Sequence, residues 1–137
     1  MSFFDFWTEA IAIDLGTANT LIIHNDKVVV DSPSIVAIDQ KSGKIIAVGK
    51  EANMMHGKTH KNIETVRPLK DGVIADFNAS EQMIGQLIKS IPTLNKKFYS
   101  PALKMVICIP SGITEVEMRA VRELSLIHIW RCRRLVR

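Results

Sequence analysis

The sequence predicts a mixed α/β fold, and three observations carry that expectation. Three short apolar runs follow one another near the N-terminus, separated only by turn residues. Helical periodicity first becomes strong after Asn78. From there the order is helix, strand, helix. Strands thus come first as a meander, which is not the βαβ order of a dinucleotide-binding domain, and no G-x-x-x-x-G-K-[ST] phosphate loop is present.

The elements justify themselves in order. Ala10–Leu15, Thr20–His24 and Lys27–Asp31 read as strands, with "HND" as the turn between the last two. Ser32-Pro33 is expected to break the pattern. Ile35–Asp39 and Lys44–Val48 form a second hairpin around "QKSG", and Glu51–Met55 offers one or two helical turns. "HGKTHKN" is a polar loop. "IETVRPLKDGVIADF" alternates and contains Pro and Gly, which predicts a strand, a turn and a short strand. A helix then starts after Asn78, with Met83, Ile84, Leu87, Ile88 and Ile91 at helical spacing and Pro92 at its end. Leu103–Ile109 reads as a buried strand, and Pro110-Ser111-Gly112 as a turn. Thr114 and Glu117 match a capping box for a helix from about Glu115 to at least Glu123.

Bulk properties narrow the function classes. The 137 residues are 47% hydrophobic and 23% charged, a globular balance rather than a disordered one, and enough for one domain or part of a larger one. No apolar run approaches the ~20 residues of a membrane-spanning helix, and no Lys or Arg marks the N-terminus as a secretory signal. Cys108 and Cys132 form no disulfide framework. Cys108, inside "MVICIP", reads as a small buried residue, and a reducing cytosol is the expected compartment. The net charge is +4, but from Leu124 onward there are four arginines and no acid, so residues 1–123 sum to zero. The body therefore holds no excess charge to attract nucleic acid.

The stretch "IAIDLGTANT" is the first candidate site. If its two flanking strands pair, "GTAN" is the hairpin tip. Gly16 lets the backbone turn, and the N–H groups of Thr17, Ala18 and Asn19 can converge into an anion-binding nest, with the Thr17 hydroxyl and Asn19 amide as further donors. Asp14 beside it would repel a phosphate unless a magnesium ion, held through waters and nucleotide oxygens, lay between. The same residues also make a plain hairpin tip, since Gly, Thr and Asn are turn formers.

"IDLGTANT" resembles the first phosphate loop of the actin/Hsp70/sugar-kinase superfamily of ATPases, which carries D-x-G-[TS] at a hairpin tip. Its ending, with "SPSIVAID", "VGKEANMMHGKT", "VRPLKDGVIADF" and "IPSGITEVEMRAV" in order, is most similar to the MreB family of bacterial actins, over about residues 10–123. An Hsp70 would show "GTTN" and "VPAYF" instead. The resemblance implies an actin-like, ribonuclease H-like α/β fold. Residues 10–32 and 70–123 would form an incomplete subdomain IA, and residues 33–69 the inserted subdomain IB. It implies that Asp14, Gly16, Thr17, Ala18 and Asn19 contact magnesium–ATP, with Asp14 on the metal through water. It further implies self-assembly into filaments, attachment to the inner face of the cytoplasmic membrane, and cell-wall synthesis machinery as partner. The water-positioning residue, second phosphate loop and adenine pocket of the family have no counterpart here, so this piece is expected to be inactive. The competing assignment is an ATPase-domain piece of an Hsp70-like chaperone or sugar kinase.

Two aromatic groups stand out besides. In residues 1–9, Phe3, Phe4, Phe6 and Trp7 fall on one arc of a helical wheel, with Asp5 and Glu9 opposite, which suits a membrane interface. Phe98 and Tyr99 lie beside Lys96 and Lys97 on an expected loop. Either group could instead pack as ordinary core or touch the next subunit. His56 and His60 read as loop residues rather than metal ligands, and Glu115 and Glu117 as first-turn helix acids. Residues 124–137 are read as a non-native tail: "LSLIHIWRCRRLVR" resembles the conceptual translation of a transposon-end sequencing adapter, and little packing against the body is expected of it.

Overall fold

A computed structural model of the chain describes residues 8–58, 61–95, 102–108 and 113–134. The element order is β1 (Thr8–Leu15), β2 (Asn19–His24), β3 (Lys27–Pro33), β4 (Val36–Asp39), β5 (Ile45–Val48), α1 (Lys50–Met55), β6 (Ile63–Val66), β7 (Leu69–Lys70), β8 (Val73–Ile74), α2 (Phe77–Lys89), α3 (Pro92–Asn95), β9 (Ala102–Cys108) and α4 (Glu115–Arg134). The meander β1–β2–β3 is antiparallel, and β9 returns to pair parallel with β1, giving the order β3-β2-β1-β9. A smaller antiparallel sheet, β5-β4-β6, carries α1.

The meander follows from local chemistry. Asn25 and Asp26 take φ of 51° and 58°, the left-handed pair that a two-residue hairpin with right-twisted strands demands. In β1 the alternation sends Ile11, Ile13 and Leu15 inward, while Ala10 and Asp14 stay exposed. Ile13 faces Ile22 across the ladder. Over this inner face lies α2, whose Ala79, Met83, Ile84, Leu87 and Ile88 join Ile11, Ile13, Leu15, Ile22 and Leu124 in one cluster. Ile35, Ala37, Ala47 and Ala52 form a second cluster between the small sheet and α1.

Several sequence expectations are corrected. β3 does not break at Ser32-Pro33 but runs through Pro33. Pro33 sits opposite Asn19 on an edge strand, where its missing N–H costs no ladder bond. α2 begins at Phe77, earlier than expected, because the Asp76 carboxylate accepts from the Ala79 N–H at 3.0 Å and caps it there. It ends at Lys89, and Pro92 opens the short α3 instead of closing α2.

β9 is not a buried strand, and Cys108 is exposed. It is an edge strand covered on one face only: Met105 and Ile107 lean on the core, while Lys104, Val106 (50% exposed) and Cys108 face away. The capping box at α4 forms as expected. Thr114 N–H donates to Glu117 Oε2 at 2.7 Å, and Glu117 N–H to Thr114 Oγ1 at 3.3 Å. α4 continues to Arg134, and Leu124 is fully buried in the main cluster, so the expectation of little packing fails at that residue. Phe3, Phe4, Phe6, Trp7, Phe98 and Tyr99 lie outside the described residues.

Candidate functional site

The hairpin between β1 and β2 turns at residues 16–18, directly after Asp14 and Leu15. The turn closes when Gly16 N–H donates to the Asn19 carbonyl at 3.1 Å. A Cβ on Gly16 would stand 2.5 Å from that same oxygen, so only glycine fits the close approach.

A second set of contacts ties the loop to the chain after β3. The Ser34 hydroxyl donates to the Gly16 carbonyl at 2.7 Å, and the Ser34 N–H to the Ala18 carbonyl at 2.8 Å. Thr20 Oγ1 lies 2.9 Å from Ser34 Oγ, and both residues are fully buried. In a trans peptide, C=O and N–H point in opposite directions. With the carbonyls of Gly16 and Ala18 both drawn to Ser34, the N–H groups of Thr17 and Asn19 point to the opposite side. The bond from Ser34 N–H to Ala18 C=O also makes Asn19 and Pro33 a non-hydrogen-bonded pair, so the Asn19 N–H is not spent on β3.

The third tie comes from far along the chain. Asp71 and Gly72, with φ of 52° and 76°, form the turn between β7 and β8, and Gly72 N–H donates to Thr17 Oγ1 at 2.7 Å. A hydroxyl that accepts still has its own hydrogen to give. The Asn19 carboxamide is placed differently from the sequence expectation: its Nδ2 reaches Asp31 Oδ1 at 3.4 Å, across to β3, and is not held at the turn.

Asp14 is exposed and on the sheet face away from the core, in register with Leu21 on one side and Cys108 on the other. The structure thus brings Asp14, Gly16, Thr17, Ala18 and Asn19 to one end of the sheet. Ser34, Thr20 and Gly72 were not singled out from sequence. Ser34 lies within "SPSIVAID" and Gly72 within "DGVIAD", but nothing in either spacing says that it meets residues 16–20 in space. His56 bonds Thr65 Oγ1 at 2.6 Å through Nδ1. Among the described residues, no three His, Cys, Asp or Glu side chains cluster to hold a metal.

The family model for MreB/Mbl proteins matches residues 8–127. The chain belongs to the MreB/Mbl family. The cell shape-determining protein Mbl of Bacillus subtilis is 49% identical over 116 residues, covering 84% of this chain and 34% of that protein. The cell shape-determining protein MreB of Pasteurella multocida is 46% identical over 121 residues, covering 85% and 34%. The chain therefore spans about a third of the length of these relatives. Among solved structures, MreB5 of Spiroplasma citri bound to ADP superposes with a TM-score of 0.76 at 34% identity, over 88% of this chain and 35% of that one. The same protein bound to AMPPNP gives 0.74 at 37% identity, covering 88% and 36%. The MamK double helical filament, 16% identical, has a TM-score of 0.69 over 88% and 38%, which shows a shared fold. The actin-like fold expected from the sequence is the one observed, and the MreB/Mbl match sets aside the chaperone and sugar-kinase assignments.

Proposed function

We propose that this chain is the phosphate-loop part of an ATP-binding MreB-type actin homologue, whose whole form assembles into membrane-attached filaments that direct cell shape and cell-wall synthesis. The observation that carries this reading is the Gly16–Asn19 turn: the Gly16 and Ala18 carbonyls are drawn back to Ser34, which turns the Thr17 and Asn19 N–H groups to the opposite side. Such paired amides bind an anion without needing a basic side chain. The ADP and AMPPNP of the related MreB5 structures support a nucleotide as the ligand.

The donor set fits magnesium in one way only. One exposed carboxylate, Asp14, with no neighbouring ligand cluster among the described residues, is too little to hold the ion alone. It is enough for an ion that arrives on a nucleotide and keeps its waters. Magnesium would neutralise the phosphates beside Asp14, while the turn amides orient them. Phosphoryl transfer also needs a positioned water and donors on the far side of the phosphate, and this chain spans about a third of its relatives. Self-association follows the same reading, since MamK, which shares the fold, is described as a double helical filament.

The test uses the 137-residue chain. It should bind magnesium–ATP weakly, lose that binding in Asp14→Ala, and release phosphate no faster than buffer. Failure of the wild-type chain to bind, or equal binding by Asp14→Ala, would reject the site. Turnover that disappears in the variant would reject the claim of inactivity.

A further inference from the structure

We propose that Ser34 is a positioning residue for the phosphate loop, acting through the Gly16 and Ala18 carbonyls, and this rests on the loop reading above. Ser34 has one hydroxyl hydrogen. Its 2.7 Å contact with the Gly16 carbonyl, which can only accept, takes that hydrogen. In the 2.9 Å contact with Thr20, the Thr20 hydroxyl must therefore donate. The result is a directed relay, Thr20 to Ser34 to Gly16, whose two hydroxyl-bearing residues are fully buried. The Ser34 N–H holds the Ala18 carbonyl two residues further on.

One residue thus grips two alternate peptide planes of a three-residue turn. Each grip fixes the opposite end of its plane, which is the N–H of Thr17 or Asn19. A plain hairpin tip does not need this, because the Gly16 N–H to Asn19 carbonyl bond already closes the turn. The Ser34 grip adds orientation. Removing the hydroxyl leaves the Gly16 carbonyl free to rotate and deprives Thr20 of its acceptor. Removing the Thr20 hydroxyl alone leaves the Ser34–Gly16 bond in place.

That difference separates positioning from mere stability. Amide NMR of the 137-residue chain as wild type, Ser34→Ala and Thr20→Val reads the order of residues 16–19 in the free protein. Titration with magnesium tripolyphosphate and with magnesium–ATP reads anion affinity. Ser34→Ala should loosen residues 16–19 and weaken both ligands by about tenfold, the factor that one net buried hydrogen bond supplies. Thr20→Val should keep the loop ordered and change affinity by less than about threefold, although it removes a buried hydrogen bond as well.

Unchanged loop order in Ser34→Ala, unchanged affinity, or identical behaviour of the two variants would overturn the assignment. If Ser34→Ala does not fold, Ser34→Cys, which keeps a weak donor, should shift both readouts in the same direction by less, and wild-type values from it would overturn the proposal equally. A wild-type chain that binds neither ligand would reject the nucleotide reading, and the positioning role would then stand or fall on loop order alone.

Discussion

Gly16 and Ser34 show how much of the site rests on single atoms. Gly16 is required by space: its missing Cβ would meet the Asn19 carbonyl oxygen at 2.5 Å. Gly16→Ala should therefore open the turn, costing about 1–3 kcal/mol of stability, a typical overpacking penalty. Chemical denaturation measures this, and a variant as stable as wild type would show that the turn accommodates the methyl. Asp39 illustrates a smaller effect. The Ser42 hydroxyl and the Lys41 N–H donate to its carboxylate and hold its pKa below the ordinary value. A lowered folded-state pKa means that this contribution is present above the unfolded-state value and is lost as pH falls through the folded one. Asp39→Asn should thus shrink the loss of stability on acidification, and an unchanged acid titration of stability would reject it.

At the scale of elements, caps and cover decide boundaries. α2 starts at Phe77 because Asp76 supplies the oxygen that an N-terminal N–H needs. α4 starts at Glu115 because Thr114 and Glu117 satisfy each other's N–H groups. Thr114→Ala should cost about 0.5–2 kcal/mol, the usual worth of an N-cap, read as a lower unfolding midpoint. Leu124 gives α4 an anchor: it is fully buried in the main cluster, where α4 packs against β9, α2 and β8. Leu124→Ala should cost about 2–5 kcal/mol as a core truncation. A change of only a few tenths of a kcal/mol would place Leu124 with the non-native tail rather than with the body. β9 shows the converse: with its outer face uncovered, an apolar strand leaves Val106 and Cys108 exposed.

At the scale of the whole molecule, the chain spans about a third of the length of its curated relatives. Phe3, Phe4, Phe6 and Trp7, with Phe98 and Tyr99, are proposed to bring the full-length parent to the membrane. Burying one such aromatic contributes roughly 1.5–3 kcal/mol, so the proposed attachment draws on several together rather than on basic residues. In liposome co-sedimentation the parent should bind and the parent lacking residues 2–8 should bind less; equal binding rejects the N-terminal part. The family match extends to residue 127, four residues into the stretch proposed to be non-native. Resequencing the locus decides it, since a native frame encoding "LSLIHIWRCRRLVR" before a genuine stop codon would overturn it.

The sequence by itself determined most of the strand and helix order, the hairpin turns, the α4 capping box and the position of the Gly16–Asn19 turn. All of these depend on neighbours within a few residues: alternation over a strand, a hydroxyl three residues from a glutamate, a glycine after an apolar run. Only the tertiary structure decided that Ser34 reaches the Gly16 and Ala18 carbonyls and that Gly72 reaches Thr17, 55 residues away. It also decided which face of β9 is covered. Hydrogen bonds between distant residues and the burial of a strand depend on what the folded chain brings alongside, and no local periodicity encodes that.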